Sequence, residues 1–149
     1  MPSQAALLYQ LQKIDLDIAQ RRARVKAIDA QLSGDETIAQ ATQALDAAEK
    51  ALKPWQTRAR DLELEIKSVA EKAQAADNDL YGGRVTNPKA LQELQNEIEA
   101  LKRRQSSLED ELIEAMLEVE GHQETVSSAQ QMLADARSTL ATTQADLIA

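Results

Sequence analysis

Along nearly the whole chain, apolar residues recur at alternating intervals of four and three, and no other feature of the sequence restricts the fold so far. One series runs from Ile38 through Ala41, Leu45, Ala48, Leu52, Trp55, Ala59, Leu62, Ile66, Val69, Ala73 and Ala76 to Leu80. A helix turns once in about 3.6 residues, so this spacing draws one narrow apolar stripe down a long helix, the seam of a coiled coil. An earlier series, Leu7, Leu11, Ile14, Ile18, Arg21, Val25, Ile28 and Leu32, has one charged member. A later one starts at Leu91, Leu94, Ile98, Leu101, Gln105, Leu108, Leu112, Ala115, Val119 and His122, and continues through Val126, Ala129, Leu133, Ala136, Leu140 and Thr143 to Leu147. Composition agrees: 149 residues hold no Phe, one Trp and two Tyr, and only four Gly and three Pro. A globular core of that size fills its volume with large aromatic rings, whereas a seam between helices needs only Leu, Ile, Val and Ala.

The interruptions divide the chain. Gly34 is a helix terminator and Ser33 or Asp35 can cap a new start, so a break is expected near Ser33–Asp35. Pro54 lies inside the second series and removes one backbone hydrogen bond, which predicts a kink there while Trp55 keeps the register. Gly82 and Gly83 suit a left-handed cap, and Asn87 followed by Pro88 is a strong helix start. The reading is a helix over about 3–32, another over about 36–80, a tip loop at 81–87 and a helix over 88–148, within a single elongated coiled-coil domain covering 1–149. The last helix, about 60 residues at 1.5 Å each, would be roughly 90 Å long. So short a loop forces the arms antiparallel, and the fold class is all-α, a long antiparallel coiled-coil helical hairpin. Folding about Arg84 places Pro54 opposite Glu114 and Gly34 opposite Ala134, with the N-terminal helix beside the last turns of the chain.

Charge and composition limit the function classes. The net charge is -8, with +2 over residues 1–34, -4 over 35–80 and -6 over 81–149. That balance disfavours generic nucleic-acid binding, whose affinity comes mainly from Lys and Arg on phosphates, and leaves room for a local basic site. The absence of cysteine removes disulfides and thiolate metal sites. No run of about 18 apolar residues could span a bilayer, and no signal-peptide pattern opens the sequence, so a cytoplasmic protein is expected.

Candidate sites follow from residues that the fold does not require. A turn needs none of Tyr81, Arg84, Val85 and Lys89, which together put an aromatic, an apolar side chain and two bases at the tip, a candidate partner-binding surface. Lys102, Arg103 and Arg104 add charge down the third helix, with Glu63 and Glu65 expected across the seam to neutralise them. Arg21, Arg22, Arg24 and Lys26 form the strongest basic patch, suited to a nucleic acid or an acidic partner, or to plain helix solubility. From Glu109 to Glu124 runs an acidic stretch, with Glu111, Glu114 and Glu118 as a flank for a basic partner. Exposed glutamates without a rigid third ligand make a poor ion site. His122, the only histidine, falls on the seam. Catalysis needs base, nucleophile and enclosing pocket together, which a two-stranded hairpin does not offer, so no enzyme and no catalytic, cofactor or metal residue is predicted.

The block LYGGRVTNPKALQELQNEIEALKRRQSSLEDELIEAM, Leu80 to Met116, resembles the bacterial coiled-coil zinc-ribbon family, in which a long helical hairpin precedes a small C4-type zinc ribbon. The resemblance rests on Leu80, Tyr81, Gly82, Gly83, Thr86, Asn87, Pro88 and Lys89, then Leu91, Leu94, Gln95, Glu97, Ile98, Leu101, Lys102, Glu109 and Leu112, about a quarter of the chain. Ala90 departs from it, where the family commonly has an acidic residue, and the cysteine quartet is missing, so zinc is expected only if a C-terminal ribbon follows. The resemblance implies a cytoplasmic adaptor or chaperone-like protein of the kind that associates with the enhancer-dependent sigma factor, with flagellar or type III secretion components, and in places with RNA. Three readings stand: protein-binding adaptor, RNA-binding helical arm, and structural spacer. Self-association is a further expectation.

Overall fold

The structure of the protein is a computed structural model that describes residues 3–148, and the side chains of 3–146. Two helices account for it: α1, Gln4–Tyr81, and α2, Pro88–Ile148, joined by a short loop. Both start as the sequence dictates. The Ser3 hydroxyl accepts the Ala6 N–H at 3.2 Å and its carbonyl accepts the Leu7 N–H at 3.1 Å. Asn87 does the same for α2, its Oδ1 accepting from Lys89 N–H at 3.0 Å and its carbonyl from Leu91 N–H at 2.9 Å. Each cap satisfies amides that the first helical turn leaves without partners, and Pro88 occupies the first position, where no N–H is needed.

The chain divides into two compact units, Ala47–Ser127, which contains the loop, and Met1–Asp46 with Ser128–Ala149. In the first, Leu62, Val69, Leu108 and Ala115 form the buried centre, and Trp55, Ala59, Ile66, Leu101 and Leu112 pack against it half-buried. Ion pairs flank this seam, Arg104 to Glu65 at 2.7 Å and Arg58 to Glu111 at 3.4 Å. In the second unit Ala41, Ala129 and Leu133 are buried. Every seam position from Ile38 to Leu80, and from Leu91 to Thr143, is buried or half-buried. The side chain of Leu147 lies outside the described residues. The fold is an all-α helical hairpin, two long helices packed on each other.

The expected break at Ser33–Asp35 is absent: α1 runs unbroken through it, and through Pro54, whose ring is exposed while Trp55 stays on the seam. Ending and restarting a helix strands amides and carbonyls on both sides, whereas one interior glycine costs only about 1 kcal/mol against alanine. Gly34 is not in a positive-φ conformation. It serves instead as a place of close approach, because a Cβ there would lie 2.7 Å from Leu140 Cδ1. The register differs accordingly, Gly34 facing Leu140 and not Ala134.

The N-terminal helix is therefore not a separate element laid beside the last turns of the chain. Its apolar series is bare: Leu7, Leu11, Ile14, Ile18, Val25, Ile28 and Leu32 are all exposed, from 43% at Ile18 to 61% at Leu32. The half-buried positions are Ala27, Gln31, Gly34 and Ile38, one residue out of phase with Ile28 and Leu32. One residue is about 100° around a helix. Continuity through Gly34 thus turns Ile28 and Leu32 away from the face that α2 covers, whereas Leu7 to Ile18 lie past the end of α2, which runs antiparallel from Leu140 opposite Gly34 only as far as Ile148.

Candidate functional site

The tip is built by two glycines with different tasks. Gly83 has φ 72°, a left-handed conformation that a side chain disfavours, and ends the helix as predicted. Gly82 does not share that conformation; a Cβ on it would sit 2.7 Å from the carbonyl oxygen of Asn78. Its role is to let the chain leave the helix close to its own last turn. This geometry makes Tyr81 the final residue of α1, not the first of the loop, and leaves it 84% exposed.

Arg84 in the loop and Lys89 at the start of α2 are exposed, and Val85 is half-buried in the loop. Neither cation is in an ion pair among the described residues. The tip therefore offers an aromatic ring and two free positive charges on a turn held by the Asn87 cap. Lys102 and Arg103 are exposed further down α2, while Arg104 is occupied by Glu65. Glu63 makes no corresponding pair with them among the described residues.

The basic patch is elsewhere. Arg21, Arg22, Arg24 and Lys26 are all exposed on α1, Arg21 on the bare apolar stripe and the others off it, and the Arg21 guanidinium reaches Asp17 on its own helix at 3.7 Å. The acidic flank is partly engaged: Glu111 pairs with Arg58, and Glu118 Oε2 lies 3.5 Å from His122 Nε2. Glu114 is exposed and lines a shallow groove with Trp55 and Arg58. Among the described residues no group of three or more His, Cys, Asp or Glu could hold a metal ion. With no cysteine in the sequence, the residues present do not fit the zinc of a C4 ribbon.

One surface escaped the sequence reasoning. Ile113, Met116 and Leu117 on α2 are more than half exposed and line an open groove with Ala59, Arg60 and Glu63 of α1. The signal for it is three large apolar residues that the seam series Leu112, Ala115 and Val119 does not use, Ile113, Met116 and Leu117. No helix among the described residues is long and apolar enough to cross a membrane.

The CT398-like coiled coil hairpin domain matches residues 11–148, nearly the entire chain. No curated protein and no solved structure matches.

Proposed function

The chain belongs to the CT398-like coiled coil hairpin domain family, and we propose that it is a non-enzymatic, cytoplasmic adaptor or chaperone-like protein that binds another protein through its tip. The observation that carries this reading is Tyr81, 84% exposed at the end of α1, with Arg84 in the loop and Lys89 at the start of α2 exposed as well. A ring with a polar end and adjacent cations is the kind of anchor that dominates protein contacts, and a turn gains nothing from exposing it. The resemblance of the tip block to the coiled-coil zinc-ribbon family supports a partner among the enhancer-dependent sigma factor and flagellar or type III secretion components.

The test is binding of purified enhancer-dependent sigma factor to the chain and to a variant combining Tyr81→Ala, Arg84→Ala and Lys89→Ala. Binding is expected to fall at least tenfold while the helical circular dichroism signal is unchanged. Undiminished binding by the variant would move the site to the helix flanks, with the groove at Ile113, Met116 and Leu117 as the next place to substitute.

A further inference from the structure

The stripe from Leu7 to Leu32 is a coiled-coil seam that no described residue buries. Exposed apolar surface of this extent and regularity marks an interaction site. Its phase settles which surface is on offer: the stripe points about 100° away from the half-buried face at Ala27, Gln31 and Gly34, so even Ile28 and Leu32 stay uncovered. The charged residues beside the stripe then indicate what would cover it. With Leu11, Ile18, Val25 and Leu32 as one set of core positions and Leu7, Ile14, Arg21 and Ile28 as the other, Asp15 and Arg22 flank it on one side and Asp17 and Arg24 on the other. Along each flank the acid comes first and the base one heptad later.

We propose that this face is an antiparallel interface with a second copy of the same chain. In an antiparallel pair, each flank meets the equivalent flank of the partner, and a two-fold axis makes both copies use the same residues. With the axis between Ile18 and Arg21, Leu7 meets Leu32 of the second copy, Leu11 meets Ile28, and Ile14 meets Val25. In that one register Asp15 lies against Arg22 of the second copy and Asp17 against Arg24, and symmetry repeats both pairs. The order acid then base is what an antiparallel self-pairing requires.

A parallel pairing also brings opposite charges together at the flanks, but it stacks Arg21 on Arg21 in the core, two like charges in one layer. The antiparallel arrangement sets Arg21 against Ile18, where its stem packs and its head reaches water. Asp15, Arg22 and Arg24 make no ion pair among the described residues, so all three are available. Arg22 and Arg24 have a task here that ordinary helix solubility does not explain.

The experiment uses the full chain in light scattering over a wide range of concentration. The unmodified chain is expected to reach twice the single-chain mass. The double variant Asp15→Arg with Asp17→Arg, and separately Arg22→Asp with Arg24→Asp, should each stay at single-chain mass, and an equal mixture of the two should recover the doubled mass. Recovery by mixing excludes misfolding as the cause. Because the chain has no cysteine, orientation can be read directly: Ile14→Cys mixed with Val25→Cys should form a disulfide-linked heterodimer on oxidation, with neither variant linking efficiently to itself. Ile14→Cys linking to itself would overturn the antiparallel pairing. A single-chain mass at every concentration would overturn the interface altogether, and salt-sensitive retardation of RNA by that monomer, lost with Arg22→Asp and Arg24→Asp, would reassign the arginines to nucleic acid.

Discussion

Between Leu52 and Leu80 the alternation of four and three leaves Leu62 at 1% exposure, while between Leu7 and Leu32 the same alternation leaves Leu11 at 55%. The spacing is the same and both stretches lie on one continuous helix, so pattern alone does not separate them. Two things separate them: the step of six from Leu32 to Ile38, one short of a heptad, turns the face by about 100°, and α2, with Leu140 opposite Gly34, ends at Ile148 before it draws level with Leu11. An apolar stripe specifies a direction on a helix; the area it removes from water depends on what stands in that direction. The central seam has α2 there, and no described residue buries the N-terminal stripe.

The sharpest way to break this comparison is to truncate one residue on each side. Leu62→Ala or Leu108→Ala, each at a position 1% exposed, should cost about 2–5 kcal/mol in urea unfolding, the transfer term plus the cavity left behind. Leu11→Ala, measured dilute enough to keep single chains, should change stability by less than about 0.5 kcal/mol, as an exposed substitution does. Equal losses at the two sites would mean that the N-terminal stripe is covered within its own chain. If Leu11→Ala instead becomes costly only as concentration rises, the stripe draws its stability from a second copy.

Much of this was legible in the sequence, for a reason that also marks the limit. Burial along a two-helix seam depends on local spacing, so Ile38 to Leu80 and Leu91 to Thr143 could be named position by position. Asn87 and Pro88 act on the backbone beside them and were equally readable. Gly34 was not, because a glycine that ends a helix and a glycine that admits a neighbouring side chain look the same until Leu140 is known to face it. The identical ambiguity hid the division of labour between Gly82 and Gly83. At the tip, Tyr81, Arg84 and Lys89 stood out as surplus to a turn, while the half-burial of Val85 and the groove at Ile113 and Met116 depend on how helices lie side by side.

The tip offers a sharper version of the same contrast, between a residue chosen for conformation and one chosen for space. Gly83→Ala places a side chain at φ 72° with nothing within 4 Å to clash, so its cost is conformational alone, about 1–2 kcal/mol. Denaturant unfolding should show that loss with the transition slope unchanged. A neutral substitution would mean that the loop adopts a second, right-handed turn at little cost.

The smallest effects come from the two glycines that sit inside helices, and there the sign is informative. Gly121 is exposed in α2 with open space where a Cβ would go. Gly121→Ala should therefore raise stability by about 0.8–1 kcal/mol through helix propensity alone. Gly34→Ala carries the same propensity gain, but its Cβ would meet Leu140 Cδ1 at 2.7 Å, so Leu140 must leave its position and the net gain should be smaller. Thermal unfolding of both variants ranks them. If Gly34→Ala stabilises as much as Gly121→Ala, Leu140 repacks without loss and Gly34 is not needed for close approach. If it destabilises, the approach of the helices at Gly34 is tight enough to hold the register there, and with it the one-residue phase change that leaves Ile28 and Leu32 bare beside α2.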